Sequence, residues 1–71
     1  MRHALIRARK ERNETQAQVA KALGITRPYY TQIELGERDP SLDVALKLSE
    51  HFGLPVEQLL AKDREVERVA G

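Results

Sequence analysis

The chain has 71 residues, no cysteine, 41% hydrophobic and 32% charged side chains, and a formal net charge of +1. That is room for one small domain with a globular balance, and it excludes a disulfide framework, a thiolate metal site and a disordered chain. No apolar run approaches the ~20 residues of a membrane span, and Met1-Arg2-His3-Ala4 lacks a signal peptide's apolar stretch, so a soluble, cytoplasmic, cofactor-free module is expected.

Strand patterning is missing, whereas helix punctuation is dense. A first helix is predicted from about Ala4 to Arg12, with Leu5, Ile6 and Ala8 inward and Asn13 as a left-handed cap. Thr15 and Gln18 form a capping box for a second helix, Gln16 to about Leu23, which buries Val19, Ala20 and Leu23 and stops at Gly24. Thr26 caps a third helix, with Pro28 in its first turn and Ile25 and Tyr30 at the two positions of a hydrophobic staple. It runs to about Leu35, with Tyr30 and Ile33 inward, and ends at Gly36. Ser41 caps a fourth helix whose apolar stripe is Leu42, Ala45, Leu46, Leu48 and Phe52, ended by Gly53. Pro55 opens a short fifth helix through Leu59 and Leu60. Residues 1–61 form the expected domain; residues 62–71 are a charged tail or an extension of the last helix, with Val66 and Val69 as a weak stripe.

The joint between the second and third helices is the informative feature. Two short helices separated by about three residues at Gly24 must cross steeply, with the small Ala20 at their closest approach. Charge adds a second cue. Residues 1–38 carry eight basic side chains (Arg2, Arg7, Arg9, Lys10, Arg12, Lys21, Arg27, Arg38) against Glu11, Glu14, Glu34 and Glu37, a balance of +4 that suits an anionic partner.

In order and spacing, Thr15-Gln16-x-x-Val19-Ala20, Leu23-Gly24-Ile25, Tyr29-x-x-Gln32-Ile33-Glu34-x-Gly36 and Asp39-Pro40-Ser41-Leu42 resemble the lambda-repressor-like, Cro/CI-type (XRE) helix-turn-helix family over roughly residues 4–60. The resemblance implies an all-α, compact five-helix bundle containing a helix-turn-helix. It also implies a DNA-binding mechanism, with the third helix in the major groove of double-stranded DNA. Arg27, Pro28, Tyr29, Thr31 and Gln32 would then face the groove. Arg27 is suited to guanine, Gln32 to adenine, and Pro28 and Tyr29 to a thymine methyl or, through the Tyr29 hydroxyl, a phosphate. Gln16 and Thr26, at helix N-termini, and Arg38, just past the third helix, are phosphate candidates.

The family commonly pairs the positions of Arg9 and Glu34, and Arg9 on the inward stripe of the first helix needs a partner, so a partly buried ion pair is expected there. Glu14 departs from the family's apolar residue before the second helix, which removes that staple, and Leu35 and Glu37 replace polar and basic residues. A homodimer on a palindromic operator is the usual arrangement, and Leu54, Val56, Leu59 and Leu60 exceed what one short helix needs to dock, so part of that patch is the expected subunit contact. Repression is the expected sign of control. With isolated His3 and His51, no Gly-rich phosphate loop and no metal-ligand spacing, an enzyme is not indicated. The rival is an antitoxin or adaptor that keeps the fold and binds a protein partner.

Overall fold

Three of the helix starts are made by a hydroxyl. Thr15, Thr26 and Ser41 accept hydrogen bonds from the backbone N–H groups of Gln18, Tyr29 and Val44, and Gln18 returns its side-chain oxygen to the Thr15 N–H at 2.8 Å, completing the capping box. The computed structural model describes residues 1–62, and among these the helices are α1 (His3–Glu11), α2 (Gln16–Leu23), α3 (Arg27–Leu35), α4 (Leu42–Phe52) and α5 (Val56–Leu60). The weak stripe expected at Val66 and Val69 lies outside the described residues.

Helix ends follow the left-handed positions. Asn13 takes φ 57°, and the N–H groups of Asn13 and Glu14 turn back onto the carbonyls of Lys10 and Arg9. Gly36 has the sharper requirement. Its φ is +81°, and a Cβ there would stand 3.3 Å from the backbone nitrogen of Met1, whereas Gly24, at φ +73°, has open space around it. Alanine at Gly24 is expected to cost about 1 kcal/mol of backbone strain. Alanine at Gly36 adds displacement of the N-terminal backbone, so its thermal midpoint should fall further than that of Gly24→Ala; equal shifts would contradict the close approach.

The core is aliphatic around one phenol: Leu5, Val19, Ala20, Leu23, Tyr30, Ile33, Leu48 and Leu59 are buried together, with Ile25, Tyr29, Phe52, Leu54 and Leu60 packed at its margin. Helix α2 packs against α3 and α4, α1 bridges α3 and α5, and α4 packs against α5. Tyr30 and Ile25 meet this core as the staple requires, the Tyr30 hydroxyl lying beside Glu34.

Three sequence expectations fail here. Ile6, expected inward, stands outside the core and lines a surface pocket with His3, Arg7, Lys10 and Glu11. On α4 the buried residues are Val44, Ala45 and Leu48, while Leu42 and Leu46 are 76% and 53% exposed. At about 100° per residue, positions 44, 45, 48 and 52 fall on one side and 42 and 46 on the other, so the apolar residues of α4 never formed one stripe. Leu59, expected at a subunit contact, is 0% exposed in the core and has no surface to offer a partner; Leu54, Val56 and Leu60 keep partial exposure.

Candidate nucleic-acid interface

Helical geometry divides α3. Tyr30, Ile33 and Glu34 point into the domain, and Arg27, Pro28, Thr31 and Gln32 point away from it. With Gln16, from the first turn of α2, and with Leu35 and Glu37, these four line a concave groove on the surface. Leu35 and Glu37, the two departures from the family pattern after the third helix, thus stand at the groove, where a Glu at the rim opposes a phosphate.

Tyr29 sits on the flank rather than at the centre. Its hydroxyl accepts a hydrogen bond from the Ser41 N–H at 3.2 Å, and the Arg38 guanidinium lies 5.8 Å from its ring centroid. Arg38 also donates from Nε to Gln32 Oε1 at 3.1 Å. Arg38, Gln32 and Tyr29 therefore form one cluster at the C-terminal side of the groove. Thr26, at the opposite end, spends an oxygen lone pair on capping α3.

Beneath the groove lies a buried carboxylate. Glu34 is 2% exposed. Arg9 reaches it from α1 with two nitrogens, Nε to Oε2 at 2.7 Å and Nη2 to Oε1 at 3.3 Å, and Gln16 Nε2 donates to Oε1 at 2.9 Å. Burial pushes the Glu34 carboxyl upward, but the donors around it, Arg9 foremost, outweigh burial and hold it below its ordinary value. Arg9 additionally donates Nη1 to the Glu14 carbonyl, fastening the turn that leads into α2. The Gln16 amide continues outward, its Oε1 accepting from the Thr31 hydroxyl at 2.8 Å.

The Glu14 substitution has its own partners. His51, isolated in the sequence, brings Nε2 to within 2.8 Å of Glu14 Oε1, and Arg12 Nε donates to the same oxygen at 3.1 Å. These partners, His51 first, lower the Glu14 carboxyl. A polar tie from α4 thus occupies the place of the apolar staple. Arg2 was equally unforeseen: it is 2% exposed and bonded to Asp39 and to three backbone carbonyls. With Arg2, Arg9 and Arg12 committed to Asp39, Glu34 and Glu14, the charge asymmetry of the sequence overstates the groove, where Arg27 and Arg38 are the nearby cations.

The family model described as helix-turn-helix matches residues 5–59. The chain belongs to the XRE-type helix-turn-helix family. Within it, an uncharacterized HTH-type transcriptional regulator of Bacillus subtilis, YqaF, is 49% identical over 53 residues, spanning 75% of this chain and 70% of that protein. A second uncharacterized HTH-type regulator, MJ0272 of Methanocaldococcus jannaschii, is 39% identical over 59 residues (83% of this chain, 89% of that protein). The cryptic phage CTXphi transcriptional repressor RstR of Vibrio cholerae is 32% identical over 53 residues, covering 75% of this chain and 48% of RstR. No solved structure matches. The α2–α3 pair is thus the helix-turn-helix of a DNA-binding domain of the kind found in transcriptional regulators. Among its described residues no helix is long and apolar enough to cross a membrane.

Proposed function

We propose that this protein is a sequence-specific regulator of transcription, a repressor, that binds double-stranded DNA as a homodimer on a palindromic operator with α3 in the major groove. The observation that carries this reading is the two-sided character of α3. One side is locked into the core by Tyr30, Ile33 and Glu34, and the other presents Arg27, Pro28, Thr31 and Gln32 beside Gln16. Such a helix is a rigid probe.

Arg27 is suited to guanine O6 and N7, and Pro28 to a thymine methyl. Gln16 and Thr26 stand where helix N-termini meet phosphates. Tyr29 retains its hydroxyl proton for a phosphate, since it accepts from Ser41. Gln32 contacts adenine through both amide atoms only once Arg38 releases its oxygen, and a phosphate is the natural competitor for Arg38. The RstR relative supports repression. Two domains on half-sites about 34 Å apart would meet through the partly exposed Leu54, Val56 and Leu60 around α5.

Selection from random duplexes tests this. A palindromic site should be enriched, bound as a dimer in sedimentation, with affinity falling steeply between about 50 and 200 mM salt. Arg27→Ala should cost about 1–3 kcal/mol in binding and relax the preference at one base pair of each half-site. A chain that enriches no duplex and forms no salt-sensitive complex would instead be an adaptor for a protein partner.

A further inference from the structure

The hydrogen-bond chain under the groove has a direction, and the direction reaches its surface. Glu34 is a buried carboxylate held by two Arg9 nitrogens, so it can only accept. Whatever Gln16 turns toward it must donate, which orients the amide with Nε2 inward at 2.9 Å from Glu34 Oε1. Gln16 Oε1 is then left facing Thr31 Oγ1 at 2.8 Å, and an amide oxygen cannot donate. The Thr31 hydroxyl proton is therefore spent on Gln16.

We propose that Thr31 faces the major groove as a hydrogen-bond acceptor alone and recognises the exocyclic amino group of an adenine or a cytosine. The inference rests on α3 being the groove-facing helix. It gives the two neighbours opposite tasks. Gln16 keeps its second amide hydrogen, a donor suited to a phosphate oxygen, whereas Thr31 has no proton for a phosphate or for purine N7, guanine O6 or thymine O4. Among groove-edge polar groups only adenine N6 and cytosine N4 donate. Glu34 acts here as a positioning residue, setting the polarity of Thr31 through Gln16.

The test uses the duplex selected by the wild-type chain, with Thr31→Val and Thr31→Ser checked for unchanged melting. The base pair whose preference relaxes in Thr31→Val is then altered in two ways. A purine lacking the 6-amino group, or 2-pyrimidinone in place of cytosine, deletes the amino group; a 7-deazapurine deletes N7. Deleting the amino group should weaken wild type and Thr31→Ser by about fivefold and leave Thr31→Val unchanged. Deleting N7 should show no such coupling to position 31. Gln16→Met, which frees the Thr31 proton, should narrow the difference between the two deletions. Coupling of Thr31 to N7, or no base pair relaxing in Thr31→Val, would overturn the proposal while leaving DNA binding standing. If Thr31→Val does not fold, the same deletions are compared between wild type and Gln16→Met, and an unchanged ratio overturns it. A chain that enriches no duplex removes the reading and this inference together.

Discussion

Replacing Arg9 by alanine is expected to destabilise the domain by about 3–5 kcal/mol, because it strands a buried carboxylate. The Glu34 side chain is 2% exposed and Arg9 12%, so water is a poor substitute for the guanidinium. The substitution also frees the Glu14 carbonyl that Arg9 holds ahead of α2. For a domain of this size the loss is comparable to the whole stability, so the variant should be largely unfolded at room temperature. The double variant Arg9→Met, Glu34→Leu removes both charges and should recover much of the loss. Urea titration followed by circular dichroism measures both against wild type; a cost for Arg9→Ala below about 0.5 kcal/mol would mean that the pair is effectively solvated.

The same pair sets an acid limb. The Glu34 carboxyl is lowered in the folded state from an ordinary value of 4.5. The unfolded chain therefore takes up the proton first as pH falls, and the pair's contribution, complete above about pH 4.5, is lost as pH drops through the lowered folded value. Glu14, lowered by His51 and Arg12, works in the same direction. Stability should decline with acidification below pH 4.5, and Glu34→Gln should flatten that decline while costing stability at neutral pH.

Arg2→Ala is the second large effect, about 2–4 kcal/mol. The guanidinium donates Nε to the Leu60 carbonyl at 2.9 Å, Nη1 to the carbonyls of Ile33 and Arg38, and Nη2 to Asp39 at 2.6 Å. Ile33 and Leu60 lie in the last turns of α3 and α5; the Ile33 carbonyl also accepts from the Gly36 N–H at 3.1 Å, whereas the Leu60 carbonyl lies past the last backbone donor of its helix. The carbonyls of Leu60 and Arg38 left short of a donor, at roughly 1 kcal/mol each, make up about half of the figure or more, and the weakened bonding at Ile33 with the lost packing of the buried stem makes up the rest. Lysine, with one ammonium, cannot span the four acceptors and should restore less than half. Thermal melts of Arg2→Ala and Arg2→Lys check both; full recovery by lysine would show that charge near Asp39, and not the spread of donors, is what counts.

Local signals were legible in the sequence, whereas of the distant contacts the Arg9–Glu34 pair was expected, through the family resemblance, and those of Arg2 and Glu14 were not. The capping hydroxyls of Thr15, Thr26 and Ser41, and the left-handed positions at Asn13, Gly24, Gly36 and Gly53, act over three or four residues and can be found without knowing the fold. The gathering of Gln16, Arg27, Pro28, Thr31 and Gln32 on one groove is what the family resemblance implied. Arg2 could not be found this way, because its partners lie 31 to 58 residues along the chain. Neither could the Glu14–His51 contact, across 37 residues. On α4 apolar identity does not imply burial: Leu42 and Leu46 face solvent, away from Leu48. Tyr29 parts from the other groove residues because its angular position sends the ring to the flank, over the turn before α4.

Because Arg2 closes the last turns of both α3 and α5, and Arg9 ties α1 to the underside of α3, the first helix cannot detach without exposing groups at the foundation of the other elements. Such wiring favours all-or-none melting. The amides of Tyr30, Ile33 and Glu34 should then exchange with deuterium only through whole-molecule opening, so α3 would arrive at a binding partner already ordered, with little entropy left to lose.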